Sequence, residues 1–313
     1  MKFNKYSNID GLLLLDKPKG LSSNTILQHV KSIFSVKKAG HIGSLDPLAT
    51  GMLPICFGRA TKFSKYLLHS KKKYHVIAQL GENTSTGDIS GICTNKKKVN
   101  IKLEKIIQIL KKFHGIIQQI PSMYSAIKFQ GIPLYKYARK GIIINRKKRI
   151  LKIYKIVCLQ YLYEFLELKI ICSKGTYIRS LIEDIGKNLG CGAHVVYLRR
   201  LSVGPYNISN LTTLSQIYIK KYNTKFQKIS NFSQNIKKYL LPLHSLVTEY
   251  PKIYLNEKEV FFFKNGKIIF LKKKKEIGLV QVLQKNTQDF IGMGKIKINN
   301  TLIVDRVLSH VLI

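Results

Sequence analysis

Apolar residues in this chain recur at two spacings, and segments of the two kinds do not alternate; this limits the open folds more than any other feature of the sequence. Leu12 to Leu15, followed by Asp16-Lys17-Pro18-Lys19-Gly20, reads as a buried strand ending in a turn. Ser22 or Ser23 then caps a helix whose apolar positions Ile26, Val30, Ile33 and Phe34 share one face. From Ala39 to Gly58 glycines and prolines predict a loop with short extended pieces. Thr61 to Leu68 reads as a short helix, and Tyr74 to Leu80 as a strand with Tyr74, Val76, Ala78 and Leu80 on one side. A helix over Leu103 to Phe113 follows, then a short strand around Tyr124 to Phe129 and a helix opened by Pro133 and ended before Gly141. Strands are expected near Leu151 to Leu159 and Phe165 to Cys172. Thr176 to Leu189 is a helix with the stripe Leu181, Ile182, Ile185 and Leu189, and Gly190 stands where a C-terminal cap belongs.

The polar stretch from Tyr218 to Lys238 suits a surface excursion or linker. After Pro251 short β runs begin, with Asn265-Gly266 as a hairpin signal between Phe261 to Phe263 and Ile268 to Leu271. The pattern is α+β, and 313 residues accommodate either one domain or a large domain over 1–245 and a small β domain over 250–313.

Hydrophobic residues make up 45% of the chain, enough for a packed core. The formal charge of +38 favours a polyanionic partner, nucleic acid first, although 46 of the 54 basic residues are Lys and a coding bias towards A and T would produce the same excess. Lys runs at 71–73, 96–98 and 272–275 are expected to be solvated. Five scattered cysteines form no C-x-x-C pair, which argues against a zinc ribbon or disulfide framework and for a reducing, cytoplasmic setting. Cys191 and His194 have a ligand-like spacing but no second pair to complete four ligands, so no metal is expected. The Leu12 to Leu15 block is far short of the ~20 apolar residues of a membrane span, and no membrane association is expected.

The chemistry concentrates in Gly40-His41-Ile42-Gly43-Ser44-Leu45-Asp46-Pro47-Leu48-Ala49-Thr50-Gly51. Pro47 biases Asp46 towards extended geometry, and the flanking glycines permit a sharply bent backbone. Spacing alone leaves two roles open for Asp46, a cap on its own turn or an acid presented to a substrate. Lys174-Gly175-Thr176 lacks the upstream glycine spacing of a phosphate-binding loop.

That segment, with Met52 to Cys56 after it, resembles the signature of the tRNA pseudouridine-55 synthases, the TruB family. Leu13 to Gly20 is similar to the family's N-terminal motif, and Pro121 to Ala126 with Tyr137 to Gly141 is similar to its middle motif. Ser173 to Arg179 and Ala193 to Leu201 match in order, so the resemblance runs from about residue 11 to 206, with a weaker likeness of the tail to a PUA-type RNA-binding domain. Ile42 and Ser90 depart from the pattern. The resemblance implies a pseudouridine-synthase fold, a mixed and largely antiparallel sheet flanked by helices, and isomerisation of a uridine in the T-loop of tRNA without cofactor or metal.

It also assigns roles. Asp46 is the expected nucleophile, Arg179 its guanidinium partner, and Tyr74 the residue that stacks on the uracil and reaches towards the carbon-5 proton. His41, Lys17 and Pro18 are expected to contact RNA, as is the segment from Lys128 to Lys140, and Tyr177 and Leu198 to close the base pocket. The target must swing out of the folded T-loop, at a cost of a few kcal/mol. The protein is expected to act as a monomer. The competing possibility, a non-catalytic tRNA-binding or folding protein, predicts that Asp46→Asn leaves function intact.

Overall fold

The computed structural model of the chain describes residues 7–223 and 237–308. Its centre is an eleven-stranded mixed sheet. The main path runs Thr212–Thr213, Gly11–Lys17, Thr50–Phe57, Ala193–Val203, Lys72–Leu80, Phe165–Cys172, Arg149–Leu162 and Gly115–Gln119. Only two pairings on it are parallel, Thr212–Thr213 with Gly11–Lys17 and Thr50–Phe57 with Ala193–Val203.

The run Leu12 to Leu15 is apolar throughout because both faces of that strand are covered. Leu13 and Leu15 enter one core, with Ile26, Val30 and Phe34 of the helix Ser23–Phe34, while Leu12 and Leu14 enter another, with Phe63, Tyr66 and Leu246. Each fully buried side chain of this size contributes roughly 1.5 to 3 kcal/mol relative to exposure. Lys72–Leu80 shows the opposite pattern, strict alternation, with Tyr74, Val76, Ala78 and Leu80 turned inward. Ser22 caps the helix Ser23–Phe34 by accepting from the Thr25 N–H. The helix Ile178–Leu189 ends at Gly190 in the left-handed conformation (φ 86°). It lies close on Ala193–Val203 because position 186 is glycine: a Cβ there would come within 2.3 Å of the Ala193 nitrogen.

Four expectations are corrected. Ala39–Gly58 is not a loop with short pieces, since Thr50–Phe57 is an eight-residue strand inside the main sheet. Pro54 is tolerated there for a geometric reason. Its carbonyl accepts from the Ile42 N–H on the flank away from Leu14, and the N and O of one strand residue point the same way, so the missing N–H takes no bond from the ladder with Gly11–Lys17. Asn265-Gly266 does not turn a hairpin but ends a helix, Glu257–Lys264, which a reciprocal box between Asn256 and Glu259 opens. Lys72 is not solvated: it is 5% exposed, and its ammonium donates to the carbonyls of Leu68 at 2.5 Å and Ser70 at 2.6 Å. The strand expected at Tyr124 to Phe129 shrinks to a two-residue pairing of Lys128–Phe129 with Ile132–Pro133. Most of the polar stretch from Tyr218 to Lys238 lies outside the described residues.

The tail forms a five-stranded sheet in the order Lys252–Leu255, Gly278–Gln284, Phe290–Ile296, Thr301–Val307 and Ile269–Phe270, around Phe263, Val282 and Leu302. It docks on the main unit. Phe290 meets Phe63 edge to face at 5.5 Å, Met293 is buried among Phe63, Tyr66 and Leu246, and Asp305 accepts from Lys65 (2.6 Å) and from the Tyr66 hydroxyl.

Candidate active site

Asp46 sits on the loop between the short strand Ala39–His41 and Thr50–Phe57, and the loop is pinned at several points. Ser23, the first residue of its helix, both accepts from the Leu45 N–H (2.8 Å) and donates to the Leu45 carbonyl (2.9 Å). Gly20 N–H donates to Pro47 O at 2.7 Å. Arg200, 1% exposed, spans the loop base by donating to the carbonyls of Met52 (2.7 Å) and Gly43 (3.0 Å). Gly51 (φ 97°) lets the neighbouring strand come close: a Cβ there would lie 2.3 Å from the Arg200 carbonyl oxygen.

This loop presents Asp46 to Arg179 on the first turn of Ile178–Leu189. The pair is bidentate, with Nε donating to Oδ2 and Nη2 to Oδ1, both at 2.8 Å. Arg179 is held from behind as well, donating to Thr86 O and Tyr124 O at 2.8 Å each, with Asp88 Oδ2 3.7 Å from Nε. The Arg179 side chain is 3% exposed and that of Asp46 is 32%. Burial opposes the guanidinium's charge, but Asp46 and Asp88 outweigh it and raise the pKa further, so the cation is permanent. Asp88 is itself 5% exposed and accepts from Thr86 Oγ1 (2.8 Å) and the Ser90 N–H (3.0 Å). The carboxylate is therefore fixed in direction by a fork with little freedom and keeps an open side.

The other expected site residues gather unevenly around this pair. Tyr74 is 8% exposed, with the charges of Arg200 and Asp46 acting on its hydroxyl. Burial raises its pKa more than Arg200 lowers it, so the phenol keeps its proton at neutral pH. Tyr177 precedes the Arg179 helix, and the Gln119 side-chain amide clasps its backbone by donating to its carbonyl (3.1 Å) and accepting from its N–H (2.9 Å). Leu198 is buried in the main core. Pro18 is exposed and His41 half-buried, with a buried Nδ1 that has no partner among the described residues; burial and then Arg200 lower the His41 pKa.

Lys17 differs from expectation. It is fully buried, and its ammonium donates to the carbonyls of Pro18 (2.8 Å), Leu21 (2.7 Å) and Pro47 (3.3 Å), leaving it turned inward and not towards RNA. Burial lowers its pKa to about 8 against the pull of Asp46. Lys17 is thus a fastener of the Asp46 loop. Arg200, Asp88 and Gln119 were not singled out from the sequence, and Ser23 only as a possible cap. Of the first three only Arg200 had a local signal, the scarcity of Arg among so many Lys.

Thr86 and Tyr124, whose carbonyls hold Arg179, also line a cavity of about 330 Å³ with Ser122, Arg146, Ser180 and Glu183. Asp46 does not line it. Burial raises the Glu183 carboxyl to about 7, with Arg179 opposing. Among the described residues no cluster of three or more His, Cys, Asp or Glu is arranged to hold a metal ion, and no helix is long and apolar enough to cross a membrane. Cys191 Sγ faces the Gly192 carbonyl at 3.2 Å and His194 Nδ1 the Glu82 carbonyl at 3.1 Å.

Family models match nearly the whole described chain. The TruB family pseudouridylate synthase N-terminal domain matches residues 31–178, the tRNA pseudouridylate synthase B C-terminal domain residues 179–248, and the C-terminal domain of pseudouridine synthase II TruB residues 251–308. A tRNA pseudouridine synthase B of Buchnera aphidicola subsp. Acyrthosiphon pisum is 49% identical over 313 residues, covering 99% of each chain. The protein of that name from Citrobacter koseri is 46% identical over 289 residues, 92% of each chain. Among solved structures, an H/ACA RNP bound to a substrate RNA containing 2′-deoxyuridine aligns with a TM-score of 0.73 at 25% identity, covering 96% of this chain and 85% of that one. A Cbf5-Nop10-Gar1 complex aligns at 0.72 and 27% identity, covering 95% and 84%.

Proposed function

The chain belongs to the TruB family of pseudouridylate synthases, and from that premise we propose that Asp46 is the nucleophile with which it converts a uridine at position 55, in the T-loop of tRNA, to pseudouridine. Formation of pseudouridine in tRNA is the activity of this family. The reaction breaks the N1–C1′ bond, turns the uracil, and joins C5 to C1′, with a proton leaving C5 and one arriving at N1. It is an isomerisation, so no electron or group is exchanged with a second substrate.

The observation that carries the assignment is the asymmetry of the ion pair: a buried Arg179, held from behind by two carbonyls, grips a carboxylate that keeps a third of its surface open. A nucleophile needs such an arrangement, charged, aimed and reachable. Because the T-loop is folded against its neighbours, the target uridine must be extruded to meet Asp46, and stacking and backbone contacts must supply what unstacking costs, a few kcal/mol. Tyr74, its phenol protonated at rest, stacks on the uracil with its hydroxyl reaching towards the carbon-5 proton. Tyr177 and Leu198 supply the apolar wall, and His41 and Pro18 meet the RNA. Residues 1–245 are taken as the catalytic unit and 250–313 as a PUA-like RNA-binding unit, acting as a cytoplasmic monomer.

The test is direct. An unmodified T-stem-loop is incubated with the protein, and pseudouridine is assayed by nucleoside analysis and its position mapped by primer extension after carbodiimide treatment. Product at position 55 is expected from wild type and none from Asp46→Asn. A folded wild-type sample that yields no product refutes the assignment.

A further inference from the structure

Beside the site lies a group of cations that the reaction does not use. The Lys174 ammonium is 2.9 Å from Nδ1 and 3.1 Å from Nε2 of His69. The ammoniums of Lys71 and Lys152 both lie over the ring of Tyr154, 4.4 Å and 5.3 Å from its centroid. All three lysines and His69 are exposed.

Their convergence is built into the backbone. Lys152 and Ser173 are bonded in both directions, Ser173 N–H to Lys152 O at 2.8 Å and Lys152 N–H to Ser173 Oγ at 3.0 Å, so Lys152 and Lys174 emerge from one corner. Beneath them the buried Lys72 ties down the turn that carries His69 by donating to the carbonyls of Leu68 and Ser70. No carboxylate answers this charge: none of Lys71, Lys72, Lys152 and Lys174 makes a salt bridge among the described residues. Burial, and then Lys174 and Lys72, lower the pKa of His69. Lys65 and Lys96, by contrast, are paired with Asp305 and Glu82.

The position matters as much as the charge. Lys174 stands five residues before Arg179, and Lys71 three before Tyr74. Arg200, which spans the base of the Asp46 loop, acts electrostatically on Lys72 and on Tyr74. The patch thus borders the turn before the Arg179 helix and the start of the strand that carries Tyr74.

We propose that Lys71, Lys152 and Lys174, arrayed on Tyr154 and His69, form a docking surface for the sugar-phosphate backbone of the RNA beside the reacting uridine. This rests on the tRNA substrate proposed above. Ammoniums that share an aromatic platform are pre-placed, and phosphates supply the anions that the protein withholds.

Equilibrium binding of an unmodified tRNA transcript is measured from 50 to 300 mM KCl for wild type, K71A, K152A, K174A, the triple variant, and K105A as a control on a surface helix. Each single patch substitution is expected to lower the slope of log K against log salt by about 1, and the triple variant to bind about tenfold or more weakly near 100 mM salt, while K105A keeps the wild-type slope. Circular dichroism melting of the triple variant confirms its fold. Unchanged slopes and affinity in the folded triple variant overturn the proposal. Product is assayed in the same samples: failure of the tRNA assignment appears as wild type without pseudouridine, whereas failure of the docking surface appears as full product with unaltered salt dependence.

Discussion

Two Arg–Asp pairs of nearly the same geometry, one between a loop and a helix and one across the main sheet, serve different ends. Arg179 grips Asp46 with two bonds of 2.8 Å; Arg199 grips Asp16 with bonds of 3.0 Å and 2.7 Å. The second pair is evenly exposed, 25% and 23%, and it joins Gly11–Lys17 to Ala193–Val203 across the strand between them. The first is lopsided, with the arginine buried and the acid open. A fork gives direction in both cases. Only where the cation is walled in, and its spare N–H groups are taken by Thr86 and Tyr124, does the direction belong to the acid, free to act on something else.

Substitutions at the two pairs can break this contrast. The largest effect is expected from Asp46→Asn: the single-turnover rate of pseudouridine formation falls at least about 10⁴-fold, as for removal of a nucleophile elsewhere, while tRNA affinity stays close to wild type. Arg179→Lys keeps the charge and loses the fork, so kcat is expected to fall roughly 10²-fold by misaiming the carboxylate, with tRNA affinity again preserved. Arg199→Lys should cost only about 0.2 to 1 kcal/mol of stability in denaturant titration and leave kcat near wild type. Equal losses of kcat in the two lysine variants would erase the distinction.

A pH-dependent effect sharpens it. Glu183, in the cavity behind Arg179, has its carboxyl raised from 4.5 to about 7 by burial. The folded state therefore binds more protons than the unfolded state between those values, and this group's contribution to stability is lost as pH rises through the window. Glu183→Gln should melt a few degrees above wild type at pH 8 and match it at pH 4. A difference that does not vary with pH would mean that the carboxyl behind the pair is not held out of water.

Much of the site was legible because its groups belong to motifs or to elements with a clear local pattern. Asp46 lies in a bent Gly-Pro-bounded segment, Tyr74 on a strand of period two, and Arg179 on the first turn of a helix with a clear stripe. What local spacing hides is support from afar. Arg200 acts on carbonyls 148 and 157 positions away, Gln119 on the backbone of Tyr177, and Ser23 on Leu45. Lys17 reads as a solvated residue of a polar turn until the fold closes three carbonyls around it. The strand Thr50–Phe57 was obscured because Gly51 and Pro54 look like breakers, and whether an imide nitrogen offends a ladder depends on which flank it faces. The helix Glu257–Lys264 was legible after all, in the box Asn256-x-x-Glu259, which the Asn265-Gly266 pair masked.

Gly51 carries no functional group, yet a single methyl there would press into the main chain at Arg200 and lever the reactive loop off its foundation. A random mutational screen scored only for lost modification would rank this silent position beside the acid itself, and a chemist reading the hits would look in vain for its reactivity. What the position contributes is an absence of matter.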